Sequence, residues 1–326
     1  MRIGALGAAR ITPPALLEAA ATLPEVEVVA VAARDRGRAA ELAAAHGIET
    51  VHGSYAELVA DDGLDAVYIA LPPSEHARWS IAALEAGRHV LVEKPFACNA
   101  DEARAMVAAA GRARRVLVEA FHWRYHPLAA RMLELVPELG TLRHGEAVFR
   151  TAIPEGDIRH ARELGGGATM DLGCYPVHWL RTLVGAEPVV TGATATVGAP
   201  GIDVSCTADL RFPSGATARV TSAMDGPAGP PEWWLRLEGD RGALRAVNPC
   251  VSHLGNRLVV ELADGRRVDE EVTGRTTYSY QLEAFVAAVA GAPAPTGGAD
   301  AVANMAVIDA IYEAAGLGRR GQPATA

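Results

Sequence analysis

The stretch RIGALGAARIT, residues 2–12, decides the fold of the first third of the chain. An apolar run of strand type ends at Gly7, and Thr12 followed by two prolines is typical of a helix N-cap with proline in the first turn. Against the G-x-G-x-x-G pattern of dinucleotide-binding turns only the first glycine is present, because Ala9 and Thr12 occupy the other two places. A helix beginning here would offer free N–H groups to a phosphate, and the alternative is a plain strand–helix turn.

Beyond this turn, short apolar strands alternate with helices up to about residue 120. The predicted strands cover 2–6, 26–32, 65–70, 89–93 and 116–120, and the predicted helices cover 13–22, 74–86 and 99–112. Near-continuous apolar strands separated by helices are typical of a parallel sheet covered on both faces. The pattern predicts an α/β fold that begins with a Rossmann dinucleotide-binding domain over residues 1–120.

The pattern changes after residue 120, where two helices are followed by six strand-like runs and two more helices. The helices are predicted over 127–136, 168–184, 278–290 and 300–316, and the strands over 189–197, 204–212, 216–222, 233–238, 257–262 and 267–272. Turn signals between neighbouring runs indicate an antiparallel meander. We expect a C-terminal α+β domain with an open, mainly antiparallel sheet over residues 121–326, serving substrate binding and oligomerisation, and a frayed tail from Gly318.

Composition and charge exclude several classes of function. The formal net charge of −9 argues against a nucleic-acid binder, which needs a basic face. No apolar run is long enough to span a bilayer. The four cysteines lie far apart and show neither a disulfide framework nor the spacing of zinc ligands. We therefore expect a cytoplasmic protein, without a metal and without a membrane or nucleic-acid partner, that acts on a small molecule.

The residues after the strand 26–32 bear on the choice of cofactor. An NAD site usually places a carboxylate here to hold the ribose 2′-hydroxyl, but this chain has Arg34 just past the strand. A guanidinium can grip a 2′-phosphate and stack on adenine, and Arg38 can add a second charge. NADP is therefore favoured. Asp35 keeps NAD possible, and solvated arginines are the alternative interpretation.

Two further turns follow strands at the edge where a Rossmann sheet binds its ligands. Glu93-Lys94-Pro95 ends the strand 89–93, and its position favours a functional role for Lys94. Leu71-Pro72, with His76 shortly after, follows the strand 65–70 and opens a helix. Taken alone, that turn is a capped helix start in which His76 is structural.

Asp171 and Tyr175 form a pair in the predicted helix 168–184. Residues four apart share one face of a helix, so the carboxylate and the phenol can point at one substrate. Three glycines, residues 165–167, directly precede them and permit a close approach of backbone or ligand. A neighbouring ammonium favours the tyrosine anion, and Lys94 is the expected source of that charge. The alternative makes Asp171 a helix-terminus carboxylate and Tyr175 a core aromatic residue.

Three stretches together resemble the Gfo/Idh/MocA oxidoreductases, and the resemblance covers essentially the whole chain. They are EKP at 93–95, EAFHWRYHP at 119–127 and GGGATMDLGCY at 165–175. The stretch 119–127 is most similar to the dihydrodiol and xylose dehydrogenase branch, which also carries a tyrosine, here Tyr175, where inositol dehydrogenases carry a histidine. The resemblance implies a Rossmann domain, an α+β domain with an open antiparallel sheet, and a cis peptide bond between Lys94 and Pro95.

The resemblance also implies roles for individual residues. Lys94 and Tyr175 would polarise and protonate a carbonyl oxygen, while Asp171 would hold a neighbouring hydroxyl. Arg159 and His160 are secondary candidates for substrate contact, and His178 is the next candidate acid should Tyr175 not fill that role. The residues expected at the cofactor are Gly7, Ala9, Arg10, Ile11, Arg34, Arg38, Leu71, Pro72, His76, Glu93, Lys94, Trp123 and Arg124.

The expected function is that of an NADP-preferring oxidoreductase acting on a hydroxyl/carbonyl pair of a sugar, polyol or cyclic diol. Two alternatives remain, a nucleotide-sugar ketoreductase and a non-catalytic NADP-binding sensor or co-repressor on the same fold. The joint presence of Lys94, Asp171 and Tyr175 speaks against the sensor, which needs no proton machinery. A homodimer or homotetramer is expected, because six strands and about four helices leave one sheet face uncovered.

Overall fold

The first part of the chain folds around a six-stranded parallel sheet. In the computed structural model, which describes residues 1–198, 201–226 and 229–321, its strands lie in the order β3-β2-β1-β4-β5-β6. The strands are β1 Arg2–Leu6, β2 Glu27–Ala32, β3 Thr50–Val51, β4 Ala66–Ile69, β5 His89–Val92 and β6 Leu117–Glu119. The intervening helices are α1 Glu18–Ala20, preceded by a π-helical turn over Pro13–Leu17, then α2 Arg36–His46, α3 Tyr55–Ala60, α4 Pro73–Glu85 and α5 Ala100–Ala113. This strand order confirms the predicted Rossmann fold.

The turn after β1 differs in one respect from its prediction. Thr12 has helical backbone angles and its side chain does not cap the helix. Its hydroxyl instead donates to the carbonyl oxygen of Gly7 at 2.9 Å, which closes the turn from within. Two prolines at the start of the helix leave little for a cap to satisfy, since neither carries an N–H group.

The second part of the chain is built on an eight-stranded sheet in the order β14-β13-β12-β11-β7-β10-β9-β8. All neighbouring pairs are antiparallel except β7 and β10, which run parallel, so the predicted mainly antiparallel sheet is confirmed. The strands are β7 Leu142–Arg150, β8 Val189–Gly198, β9 Ile202–Arg211, β10 Thr217–Ala223, β11 Glu232–Gly239, β12 Gly242–Val247, β13 Arg257–Leu262 and β14 Arg267–Glu270.

Helices and short turns complete this part. The α-helices are α6 Pro127–Leu135, α7 Cys174–Val184, α8 Thr277–Val289 and α9 Ala299–Ala314. A π-helical turn, Thr169–Gly173, leads into α7, and 3₁₀ turns cover His122–Tyr125, Val136–Leu139, Ile158–His160, Arg162–Leu164 and Ser252–Leu254. Among the described residues, no helix is both long and apolar enough to cross a membrane.

Two strands of this sheet, β7 and β12, were not predicted from the sequence. β7 carries Arg143, His144, Gly145 and Glu146 in succession, which hides the alternation of a half-buried strand. A Cβ atom at Gly145 would lie 2.9 Å from a methyl group of Leu180, which would have to shift to admit it. β7 nevertheless occupies the middle of the sheet, between β11 and β10.

The eight-stranded sheet has one covered face and one bare face. Its inward side chains, such as Ala147, Leu235 and Leu244, join the core beneath α7 and α9. On the opposite side, which we call the outer face, Trp234, Val148, Thr221 and Thr207 form one cross-strand row. In the adjacent row, charges alternate across the strands as Arg236, Glu146, Arg219 and Asp209.

The last third of the chain returns to the first sheet. Leu282 and Phe285 of α8 belong to the same buried cluster as Ile3 and Leu91. The segment around Thr296 lies along the edge of β6, where the backbone N–H of Glu119 donates to its carbonyl oxygen at 2.9 Å. The predicted domain boundary at residue 120 is thus crossed by packing from the C-terminal side.

The tail prediction is wrong for the residues that the structure describes. Arg320 is fully buried and forms an ion pair with Asp203 at 2.9 Å, while its guanidinium stacks on the ring of Tyr312. A buried arginine needs a partner of opposite charge, and Asp203, itself buried, provides it. No local pattern indicates this pairing, because its members lie more than a hundred residues apart along the chain.

Candidate active site

Lys94 emerges just after β5, at the carboxyl edge of the parallel sheet. The Lys94–Pro95 peptide is cis, as predicted. The ammonium donates to Oδ1 of Asp171 at 2.9 Å and to its backbone carbonyl oxygen at 3.0 Å. Burial is the largest single influence and disfavours the charged ammonium, but the Asp171 carboxylate, its hydrogen bond and Cys174 together keep the pKa of Lys94 above its ordinary value. Lys94 is therefore a positively charged donor.

Asp171 lies in the π-helical turn Thr169–Gly173 and not in a regular α-helix. Single π turns of this kind are frequent at functional sites. Its second carboxylate oxygen, Oδ2, accepts from Nε of Arg159 at 2.6 Å. Burial opposes ionisation of this carboxyl group, yet Lys94 and Arg159 together hold its pKa below the ordinary value. Both oxygens of Asp171 are thus engaged by protein cations.

Tyr175, in the first turn of α7, completes the cluster. The ammonium nitrogen of Lys94 lies 5.2 Å from the centre of its ring, and its hydroxyl lies 3.0 Å from Nε2 of His122. Burial raises the pKa of Tyr175 well above its ordinary value, so the phenol is neutral. The predicted tyrosinate is therefore wrong: the Lys94 charge faces the ring and is paired with Asp171, and cannot offset the loss of hydration.

The three glycines before this turn position Arg159. A Cβ atom at Gly166 would lie 2.3 Å from the carbonyl oxygen of Arg159, and Gly167 adopts a φ of +134°. The N–H of Gly167 donates to that same carbonyl at 2.9 Å. The backbone of the Ile158–His160 turn can approach this closely only because no side chain stands between, which confirms the expected use of the glycine run.

A line of ion pairs connects the cluster with the glycine turn after β1. Asp157 accepts from Arg159 at 3.0 Å and from Arg10 at 2.6 Å. Arg10 belongs to the glycine turn, while Arg159 contacts Asp171. The sequence did not single out Asp157, which joins the two halves of the crevice.

The glycine turn itself fits a dinucleotide. Gly7 has a φ of +108°, and a Cβ atom there would lie 2.3 Å from the carbonyl oxygen of Ala70. Ala9 and Ile11 follow in the same turn and are only partly buried. The turn therefore keeps the compact backbone of a nucleotide-binding loop although only one of its glycines is present.

The end of β2 carries the residues that distinguish the two nicotinamide cofactors. The carboxylate of Asp35 accepts from the backbone N–H groups of Gly37 and Arg38 and so caps α2. Arg34 is exposed beside it, and the guanidinium of Arg38 donates to the carbonyl oxygen of Ala8 at 2.8 Å. One oxygen of Asp35, Oδ1, is thus engaged by the helix, and two guanidinium groups, those of Arg34 and Arg38, lie near the end of β2.

His76 and Glu93 are held by the protein itself. The ring nitrogens of His76 lie 2.8 Å from the carbonyl oxygen of Leu71 and 2.9 Å from that of Pro95. His76 is buried, and it joins the Leu71-Pro72 turn to the turn that carries Lys94. Glu93 accepts from the hydroxyl of Tyr68 at 2.6 Å, and burial raises the pKa of its carboxyl group.

Two of the expected site residues, in the 119–127 stretch and in α7, lie in the protein interior. Trp123, expected at the cofactor, is only 1% exposed, and its indole N–H donates to Nδ1 of His178 at 2.9 Å. His178, the reserve candidate acid, is fully buried and its Nε2 lies 2.9 Å from Asp300. Both side chains are buried and bond to other protein groups.

The remaining predicted residues lie at the margin of the crevice. Arg124 is partly buried beside Trp123, and His160 is partly exposed, with Nε2 3.3 Å from the carbonyl oxygen of Ile153. Sequence reasoning missed His122, which directly precedes Trp123 in the 119–127 stretch. Within the described parts of the chain, no group of three or more acidic, histidine or cysteine side chains could hold a metal ion.

Comparison with known proteins gives matches over nearly the whole chain. A model described as an oxidoreductase family with an NAD-binding Rossmann fold matches residues 1–121, and a GFO/IDH/MocA C-terminal domain model matches residues 130–245. The chain is 39% identical to D-xylose 1-dehydrogenase (NADP(+)) 2 of Haloferax volcanii over 98% of both proteins. It is 33% identical to trans-1,2-dihydrobenzene-1,2-diol dehydrogenase of Xenopus laevis, over 63% of this chain and 64% of that protein.

A solved structure is similar over the same extent. The crystal structure of a 3-ketoreductase from Actinomadura kijaniata in complex with NADP and TDP-benzene matches with a TM-score of 0.88. The two sequences are 28% identical, and the match covers 96% of this chain and 97% of the other.

Proposed function

Because the chain belongs to the GFO/IDH/MocA oxidoreductase family, as its motifs predicted, we propose that it interconverts a hydroxyl and a carbonyl group of a sugar, polyol or cyclic diol with NADP. The observation that carries the proposal is the cluster in which Lys94 bonds Asp171 while its ammonium lies over the ring of Tyr175. The bound cofactor supplies the hydride chemistry. The side chains of the cluster manage the proton that accompanies it.

Each member of the cluster has a separate task. Lys94, charged and only partly buried, donates to the substrate oxygen and stabilises the charge that develops there. Tyr175, a neutral phenol, exchanges the proton with that oxygen. Asp171 was expected to hold a neighbouring substrate hydroxyl, but with Lys94 on one oxygen and Arg159 on the other we assign it first to orienting the ammonium.

NADP is the cofactor that the end of β2 supports. Capping of α2 engages Oδ1 of Asp35, so this carboxylate already has a structural role at the place where an NAD site usually carries its ribose ligand. Arg34 and Arg38 supply two guanidinium groups at the same place, and an Arg–phosphate contact is among the stronger charge-assisted hydrogen bonds. The relative from Haloferax volcanii is named as an NADP(+) enzyme, which supports the same choice.

Charge balance near the cluster favours an uncharged substrate over a nucleotide sugar. Arg159 is paired with both Asp157 and Asp171, and Arg10 is paired with Asp157. A diphosphate linkage would need cations that the protein has not already neutralised. Aldoses and cyclic diols need only hydrogen-bond partners, and we place the substrate in that class.

The test is a panel of substrates followed by NADPH absorbance. Purified enzyme is mixed with NADP⁺ and D-xylose, D-glucose, a cyclic trans-diol or a dTDP-sugar. We expect turnover with an uncharged member and its loss in Lys94→Met. Tight NADPH binding without turnover on any member would instead favour the sensor, and turnover confined to the dTDP-sugar would favour the nucleotide-sugar ketoreductase.

Three further points are part of the proposal. We retain residues 1–120 as the cofactor domain and residues 121–326 as the substrate domain, although α8 packs against the first. All four cysteines are unpaired and buried, which is typical of a reducing compartment such as the cytoplasm. The bare outer face of the eight-stranded sheet, with Val189 and Val247 exposed, supports assembly into a homodimer or homotetramer.

A further inference from the structure

A chain of hydrogen-bonding groups leads from the hydroxyl of Tyr175 towards the surface. The Tyr175 hydroxyl lies 3.0 Å from Nε2 of His122, and Nδ1 of the same imidazole lies 2.9 Å from the hydroxyl of Thr277. That hydroxyl lies 3.2 Å from Nδ1 of His253. Tyr175, His122 and Thr277 are at most 4% exposed, whereas His253 is partly exposed in the 3₁₀ turn Ser252–Leu254.

The direction of these bonds follows from one backbone group. The N–H of Thr277 points at Nδ1 of His253 at 3.2 Å, and a backbone N–H can only donate. Nδ1 of His253 is therefore an acceptor, and its ring proton is on Nε2. The Thr277 hydroxyl can then donate to His253 while accepting from Nδ1–H of His122.

The same assignment leaves Nε2 of His122 without a proton, so it accepts from the phenol of Tyr175. Burial lowers the pKa of His122 to about 3, which keeps its ring neutral and suited to this role. The ring of Tyr278 lies 4.4 Å from that of His122, centre to centre, and helps to shield it from water. Every bond of the chain thus points outward, from Tyr175 to His253.

We propose that His122, Thr277 and His253 form a proton relay that carries the substrate hydroxyl proton from Tyr175 to solvent during alcohol oxidation. This inference rests on the proposed role of Tyr175. As the C–H bond gives its electron pair to the oxidised cofactor, the alcohol O–H gives its proton to the Tyr175 oxygen. Tyr175 passes its own proton to Nε2 of His122, whose Nδ1 proton moves to Thr277 and from there to Nδ1 of His253. Nδ1 gives up the bond from the Thr277 N–H as it is protonated. His253 then releases its Nε2 proton to water.

The relay explains how a buried, neutral tyrosine can accept the substrate proton. A tyrosine whose pKa is raised well above its ordinary value cannot wait as an anion to accept the substrate proton. In the relay it loses one proton as it gains another, so no tyrosinate forms. Carbonyl reduction runs the same transfers in reverse. His122 touches Tyr175 directly, while Thr277 and His253 act through it as positioning residues.

The first test measures histidine tautomers without any substrate. In ¹⁵N-labelled protein, the imidazole nitrogen shifts should report His122 protonated at Nδ1 and His253 at Nε2. Thr277→Val, which removes only the bridging hydroxyl, should release the tautomer preference of His122. The opposite tautomers in the unaltered protein would overturn the relay.

The second test is chemical rescue of NADP⁺-dependent oxidation, with D-xylose as the first substrate and otherwise the active member of the panel. Loss of a group that transfers a proton directly to the substrate typically slows turnover by about 10²–10⁴-fold. His253→Ala should slow it by only about 10-fold, because water can replace His253 as a slower exit. Added imidazole should restore His253→Ala in a saturable manner. Imidazole should not restore turnover in the double variant His253→Ala/Thr277→Val. The control is His46→Ala, which changes an exposed histidine at the end of α2 and whose turnover imidazole should not affect.

The outcomes separate the relay from the proposed function. Unchanged turnover in His253→Ala and Thr277→Val overturns the relay, and so does a loss of turnover in His253→Ala that imidazole does not restore. In either case, slow turnover in Tyr175→Phe still supports the proposed function. Normal turnover in Tyr175→Phe removes Tyr175 from the chemistry and the relay with it, while the turnover itself still supports the proposed reaction. Absence of turnover on every member of the panel in the unaltered protein removes the proposed function.

Discussion

Loss of the Arg34 side chain should change the preference between NADP and NAD and little else. Arg34→Ala removes one charge-assisted contact to the 2′-phosphate, worth about 1.5–3 kcal/mol, or roughly 10- to 150-fold in Kd. NADPH binding should weaken by that factor, whereas NADH binding should change little. Fluorescence titration of both cofactors measures this, with the exposed neighbour Arg36→Ala as the matched control. Equal affinity of the unaltered protein for the two cofactors would contradict the assignment.

Tyr175→Phe tests the proton-transferring group while keeping the aromatic ring. The ring packs against Phe121 and Phe149, so the variant should fold, and only the hydroxyl is lost. Turnover should fall by about 10²–10⁴-fold with NADPH affinity nearly unchanged. Lys94→Met should lower turnover at least as much. The double variant should lose far less turnover than the product of the two single losses, because the residues act as a unit. Tyr280→Phe is the control, and normal turnover in Tyr175→Phe sinks the assignment.

The identity of these residues was accessible from the sequence, but their states were not. Lys94, Asp171 and Tyr175 were named from motifs, and the structure does bring them together. The neutral state of Tyr175 depends on His122 and on burial from several elements, none of which spacing along the chain reveals. Likewise, the occupation of both Asp171 oxygens depends on Arg159, whose approach needs the backbone of Gly166.

The contact between α9 and the start of α5 should make stability depend on pH. Oδ2 of Asp309 accepts from the N–H of Ala100 at 2.9 Å, while Oδ1 is buried without a partner among the described residues. Burial raises the pKa of Asp309 to about 6. Since the folded-state pKa lies above the unfolded one, the stability from this group is complete below about pH 4 and is lost as pH rises through about 6.

Asp309→Asn should therefore raise the free energy of unfolding at pH 7.5 by about 1–2 kcal/mol, because the amide cannot ionise. Its advantage should shrink as pH falls towards 4. Urea unfolding of both proteins at several pH values measures the difference, with exposed Glu41→Gln as the control. A variant no more stable than the original at pH 7.5 would show that ionisation of the buried Asp309 carboxyl group does not destabilise the fold.

Elements whose apolar residues follow a regular strand or helix pattern were predictable. Elements that depend on packing against distant parts of the chain were not. β4 and β5 are nearly uniform apolar runs, and α5 places its buried residues on one face, so each was located to within about two residues. β7 was missed because one of its inward positions carries Gly145, packed against the distant Leu180, where an apolar side chain would have marked the strand. The π turn before α7 was predicted as ordinary helix, since the periods of the two differ too little over five residues.

The outer face of the eight-stranded sheet should join two copies of the chain. Its central row combines Trp234 and Thr221, which are partly exposed, with Val148, which is buried between them. Light scattering at micromolar concentration should give at least twice the 34.0 kDa of one chain. Thr221→Arg, which places a like charge opposite itself across a two-fold axis, should yield monomers, whereas Thr22→Arg on the first domain should not. A monomer in the unaltered protein would contradict the prediction.

The contact between β6 and the segment around Thr296 has a consequence for truncated forms of this protein. The hydroxyl of Thr296 donates to the carbonyl oxygen of Glu119 at 2.7 Å, and Gly297 bridges Val118, so residues from the far end of the chain seal the edge of the first sheet. A fragment ending near residue 121 would carry that strand as an unpaired edge, beside the apolar surface that Phe285 now covers. Exposed edges of this kind recruit other strands. Such a fragment should self-associate and precipitate, although the motifs for nucleotide binding lie almost entirely within it.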